Sequence, residues 1–309
     1  MGRRVLTVSE LTFHEKFKRN PASFAPAALN GEDLLDVFES WAQALSTEDT
    51  HNQERQTWVS VVEVVRYATR VVLLDLRVGA YGEPGEIVDT STGNPITRIE
   101  DHQAPTGQNR ALLLVPKHGE RAYFLAEESS RGSAGGRILA LFKKHFSRYT
   151  DRITMVTKTV TEGEAWAEAA ELSEVEVRVL GRSADIADGL DVRVGKVSYV
   201  ARPTRRGRFP GRLLGELHRE EALQRIVQVP HIPEDHEVFV TMVRDGRTKK
   251  FQLGSEGAPA IRELLNDSGE EALTTEALVQ TCADKVKGLA RRTGGDWDSA
   301  WSTPSQRGG

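Results

Sequence analysis

The chain of 309 residues holds one cysteine, Cys282. An intramolecular disulfide is therefore excluded, and the usage suits a reducing compartment. No apolar run approaches the roughly 18–20 residues that a membrane-spanning helix needs. The opening residues, MGRRVLTVSELTF, carry basic side chains but no signal-peptide core. A cytoplasmic location is the expectation. Net positive charge is lacking as well. The formal charge of −4 argues against a uniformly basic nucleic-acid binder. A local basic face stays compatible with it, because steering depends on how charge is distributed. Motifs of catalysis are also missing: there is no HExxH, paired CxxC, GxSxG or GxGxxG, and no P-loop pattern. Neither a cofactor nor a metal site is expected.

What is present describes a globular protein, with 39% apolar and 28% charged residues. At about 150 residues per domain the length fits two. The organising stretch is Arg110–Arg152. Ala111–Val115 and Tyr123–Ala126 are short apolar runs around a link containing Gly119, which reads as a β-hairpin. A small-residue loop, Ser129–Gly136, follows, and then an amphipathic helix to about Tyr149. Before it, Arg4–Phe13 reads as a strand and Gly31–Leu45 as a helix with one apolar face. Trp58–Val65 and Arg70–Val78 are Val- and Leu-rich strands. Ile87–Thr90 and Ile96–Ile99 suggest a small hairpin, and Arg152–Val160 another strand. Glu162–Leu172 reads as a short helix and Glu174–Leu180 as a half-exposed strand. Gly181–Gly195 reads as a polar loop, Lys196–Ala201 as a strand, and Pro210–Val229 as a helix. Glu237–Arg244 and Arg247–Leu253 flank Asp245-Gly246, a strong hairpin signal. Pro259–Asn266 reads as a short helix. Thr274 is the expected N-cap of a last helix bearing Leu278, Cys282, Val286 and Leu289. Leu278, Val286 and Leu289 serve either the core or a two-fold interface.

Hairpins outnumber parallel crossovers. The expected fold is therefore α+β, with mixed, largely antiparallel sheets built from hairpins, packed helices and two domains. The expected division is residues 1–157, residues 158–293, and a flexible tail at 294–309. Trp297 and Trp301 in that tail are free to meet a partner.

Two stretches point to a polyanion. Ser129–Arg137 places glycines before a helix start, where backbone N–H groups and the helix dipole favour an anion. From Ser129 to Thr150 there is no acid, but Arg131, Arg137, Lys143, Lys144 and Arg148 are present. The bland alternative is a connection that simply feeds a helix. The second stretch carries Arg202, Arg205, Arg206, Arg208 and Arg212 without an acid among them. Arginine pairs bidentately with phosphate and can enter the minor groove. Arg206-Gly207-Arg208 looks like an AT-hook core that Phe209 interrupts. Its bland alternative is a solvated loop, or arginines paired with acidic neighbours. Nuclease chemistry would need paired carboxylates with a lysine; Glu63, Asp75, Asp89, Glu127 and Glu128 lie near strands, without a local motif.

The order of elements resembles the RexA-like phage-exclusion proteins and their relatives among anti-phage defence proteins. The similar parts are LLLVPKHGERAYFLAEE with its loop and helix, the strand EVEVRVLG, and FVTMVRDGRTKKFQLGSEG followed by a terminal amphipathic helix. The resemblance implies a cytoplasmic, dimeric DNA-binding protein that senses infection and acts with a membrane effector. It carries over no functional residue. The expected function is then non-enzymatic binding of nucleic acid, double-stranded DNA above all, in phage defence or exclusion. The alternatives are a metal-dependent nuclease of a defence system and an interaction subunit that binds an acidic partner.

Overall fold

The computed structural model describes residues 2–304, apart from 20, 130–131, 161–170, 187–189, 205–206, 211–212, 218, 230, 234–235, 245–246, 254–261 and 268. The chain forms two compact units. One is Met1–Val160 together with Leu265–Gly309; the other is Thr161–Leu264.

The first unit is built on antiparallel strands β1 (Arg4–Glu15), β2 (Thr57–Ala68), β3 (Val71–Ala80), β6 (Gly107–Leu114), β7 (Arg121–Ser129) and β8 (Ile153–Thr159). Their order is β2-β3-β6-β7-β1, and β8 also pairs with β1. A separate hairpin, β4 (Gly85–Val88) and β5 (Pro95–Ile99), branches off. Successive strand residues face opposite sides. Leu113 and Phe124 accordingly meet α1 (Leu34–Gln43) and α3 (Gly135–Tyr149), while Leu112, Leu114 and Leu125 meet α6 (Thr275–Arg292). With helices on both faces, β6 is buried on both, which explains its unbroken apolar run. A short α2 (Thr47–Thr50) follows α1 and carries a capping box between Ser46 and Asp49.

In the second unit β9 (Glu171–Ile186), β10 (Leu190–Ala201), β11 (His236–Arg244), β12 (Arg247–Leu253) and the first three residues of β13 (Arg262–Asn266) pair in the order β10-β9-β11-β12-β13. α4 (Leu213–Glu216) and α5 (Glu220–Val227) lie on the chain between β10 and β11. Val175 and Val177 join Leu217, Leu223, Val240 and Phe251 in its core.

The α+β, hairpin-built architecture is as the sequence implies. Several readings change. Gly181–Gly195 is largely the paired ends of β9 and β10, in register from Val175↔Ala201 to Ile186↔Leu190. The helix expected over Pro210–Val229 is interrupted: α4 ends at Glu216 and α5 starts at Glu220. The part of Pro259–Asn266 that is described is a strand, because Glu263 takes a place opposite Phe251 on β12. The helix expected over Glu162–Leu172 and the turn residues Asp245-Gly246 lie outside the described residues, although Leu172 belongs to β9.

The tail also changes. Trp297 is buried and meets Trp301 edge-on at 5.6 Å. The Arg70 N–H donates to the Trp301 carbonyl at 3.1 Å, and Ala68 bridges Pro304. Residues up to Pro304 thus close the first unit, with the Trp297 indole in the core and Trp301 partly buried against it. α6 belongs to the same unit, with Leu278 and Val286 fully buried and Leu289 7% exposed. These side chains serve the core, so this face offers no two-fold interface.

Candidate nucleic-acid interface

The loop before α3 is built for packing. Ser129 and Gly132 exchange backbone hydrogen bonds, and the Gly132 carbonyl accepts from Asn109 Nδ2 at 2.8 Å. A Cβ on Gly135 would lie 2.1 Å from the Ala126 Cβ. This glycine lets the start of α3 touch β7, so its place in the fold is explained without an anion. Arg137 is committed too. Its guanidinium donates to the carbonyls of Asp49, Thr50 and His51 at 3.3–3.5 Å, capping the end of α2. Arg131 lies outside the described residues.

Lys143, Lys144 and Arg148 are exposed and have no acidic partner among the described residues. Lys144 and Arg148 are one helical turn apart and share a face. They line a groove of about 1070 Å³ between α1 and α3, whose other wall carries Glu32, Asp33, Asp36 and Asp49. Those acids are occupied. Asp33 pairs with Arg70, Asp36 with Arg66 at 2.6 Å, Asp49 with Ser46 at 2.7 Å, and Glu32 accepts from the Tyr149 hydroxyl. The last bond pushes the Tyr149 pKa up to about 12. His145, in the same groove, lies 5.9 Å from the Trp41 ring, and its pKa is lowered by burial and by Arg148.

The end of α3 gathers further cations that the sequence reading passed over. β1 runs into a hairpin loop closed by Glu15 N–H to Ala22 O at 3.0 Å and Phe24 N–H to Phe13 O at 2.9 Å. The Lys16 N–H donates to Arg152 O, and Lys16 Nζ donates to Thr150 O, each at 2.8 Å. The loop is thereby fastened to the last turn of α3. Its tip exposes Phe17, Lys18 and Arg19, and Arg152 is exposed beside it. The signal was KFKR at 16–19, hidden because Pro21 and Pro26 made the stretch read as plain loop. Lys18, Arg19, Lys144, Arg148 and Arg152 form the candidate face; Asp151 is an acid within it.

The arginine-rich stretch takes the bland form where it is described. Arg202 pairs with Glu174 at 2.7 Å and Arg208 with Glu171 at 2.6 Å, both acids on β9. Phe209 donates its N–H to Leu172 O at 3.1 Å and packs on the second core. It interrupts the AT-hook pattern because it anchors the loop. Exposed pairs of this kind contribute only about 0–1 kcal/mol, so they can open toward a phosphate. Arg205, Arg206 and Arg212 lie outside the described residues.

The carboxylates considered for metal binding have other places. Glu127 is fully buried and accepts from Arg110 Nε at 2.9 Å and from Arg4 at 3.0 Å. Arg110 also reaches the Leu273 carbonyl at 2.8 Å, tying the sheet to the approach of α6. Asp75 faces Glu63 across β2 and β3 but is held by Gln108 Nε2 at 2.9 Å. Asp89 shapes a turn through Ser91. Glu128 pairs in register with Val5 and is partly exposed. Cys282 is buried, and burial pushes its thiol pKa up, making it a poor nucleophile.

Comparison with protein-family models, with curated proteins and with solved structures finds no match.

Proposed function

We propose that this chain is a non-enzymatic nucleic-acid-binding protein whose contact face is the end of α3 with the loop after β1. The observation that carries the reading is the set of exposed cations there, Lys18, Arg19, Lys144, Arg148 and Arg152, which have no acidic partner among the described residues. Each phosphate neutralised releases counterions, so such a face binds without reading sequence. Arg202 and Arg208 form a secondary surface that must first loosen its ion pairs. Action in phage defence or exclusion, as a homodimer with a membrane effector, rests on the family resemblance and belongs to the same proposal.

The test is titration of labelled DNA and RNA, single- and double-stranded, at several salt concentrations. Replacing Lys144, Arg148 and Arg152 together by Ala should weaken binding to all sequences alike. It should also flatten the slope of log affinity against log salt by up to about three units. The Arg202→Ala, Arg208→Ala double variant should change it by less. An unchanged slope in the triple variant, or no binding by the parent chain, overturns the reading.

A further inference from the structure

Phe17 is 100% exposed, whereas the next most exposed large apolar side chain among the described residues, Ile96, stands at 66%. It also sits at φ 61°, in the left-handed region that aromatic residues rarely enter. Glycine would fit that backbone without strain. The chain instead places a phenyl ring there, with Lys16 before it and Lys18 and Arg19 after it. The loop is held at both roots and against Arg152, as described above, so the ring is presented from a fastened base. Strain kept at an exposed position points toward function.

Resting on the nucleic-acid reading above, we propose that Phe17 is a stacking platform for an unpaired base, and that the ligand class is single-stranded nucleic acid. The chemistry is specific to that class. An unpaired base offers its open π-face, and any base will do. A duplex hides those faces in its own stack, and a side chain reaches them only by unstacking a step. Lys18 and Arg19 next to the ring in the chain, with Arg152 at the loop's anchor and Arg148 on the last turn of α3, would hold the phosphates on either side of the stacked base, the combination of cationic track and aromatic platform that single strands require. This departs from the double-stranded DNA expected from the sequence.

The experiment uses the full chain, with labelled oligothymidine, a labelled duplex of mixed sequence, and the variants Phe17→Ala and Phe17→Tyr. Phe17→Ala should weaken binding to the single strand by about 5- to 160-fold, the range of one lost base–aromatic stack. Duplex binding should change less than twofold, and the salt slope on the single strand should stay the same, because no charge is removed. Phe17→Tyr, which keeps the ring, should bind like the parent. Since the ring touches no core, both variants should melt with the parent chain. If Phe17→Ala binds the single strand normally, or loses affinity for both ligands equally, the stacking proposal fails while nucleic-acid binding stands. If the parent chain binds neither ligand, the broader reading fails and takes this one with it.

Discussion

Gly135 and Gly136 are neighbours in sequence with different physical roles. Gly135 admits no Cβ without moving Ala126, whereas Gly136 faces open space. Gly135→Ala should therefore destabilise the fold by about 1–3 kcal/mol through overpacking. Gly136→Ala should be neutral or stabilise by up to about 1 kcal/mol through helix propensity. Urea denaturation of the two variants separates them, and similar midpoints would contradict the packing account. The pair also shows what could not be read in one dimension. A glycine that cradles an anion and one that lets two backbones meet leave the same letter. Arg137 and Lys144 pose the same difficulty: both are basic residues of one helix, but only Arg137 finds carbonyls to cap. Arg137→Ala should thus lower stability and leave the salt slope of nucleic-acid binding nearly unchanged, as paired denaturation and titration would record.

The elements that were legible from sequence are those with strong local signals. Thr274 caps α6 through the Ala277 N–H at 3.2 Å, as its position before an amphipathic run suggests. The hairpin β6–β7 follows two apolar runs around Gly119, and β11 and β12 pair on either side of Asp245-Gly246, as that dipeptide suggests. Some segments were misread because the apolar pattern is short or because the pairing partner lies elsewhere in the chain. Leu190–Val194 alternates Leu190, Val192 and Val194 and pairs with the neighbouring β9, and Arg262–Asn266 resembles a helix but is recruited by β12. The Glu127 cluster belongs to this class as well, since Arg4, Arg110 and the Leu273 carbonyl come from three places in the chain. Glu127→Ala leaves two guanidinium groups without their buried counter-charge and should cost about 3–5 kcal/mol. Its effect is read as a lowered melting temperature. The Cys282 thiol, on the buried face of α6, gives a direct monitor of that element. It should resist aromatic disulfide reagents in the native protein and react in Glu127→Ala at low denaturant; equal reaction rates in the two proteins would sink the assignment.

At the scale of the molecule, acid should act on the two units at different points. His145 has its pKa lowered by burial below 6.5. The folded first unit therefore binds fewer protons than the unfolded chain, and its stability declines as pH falls below 6.5. In the second unit burial alone would raise the Glu176 carboxyl, but hydrogen bonds from Arg178, Lys250 and Ser198 bring it down from 4.5 to about 2. That stabilisation is present above pH 4.5 and is lost as pH falls toward 2. Denaturation midpoints followed from pH 7.5 to 5.5 should drop in the parent chain and drop less in His145→Gln; identical profiles would refute the role given to His145.

The first unit is discontinuous: α6 and the chain to Pro304 return to a sheet begun at Arg4. During synthesis Leu112, Leu114 and Leu125 emerge early, yet their cover is translated last. At roughly 5–20 residues per second, the interval between Val160 and Arg292 is about 7–26 s. Throughout it an apolar sheet face stands open on the ribosome while Thr161–Leu264 can already collapse. The nascent chain should therefore depend on holding chaperones until translation ends, and any stall before Thr275 should leave a product prone to aggregate.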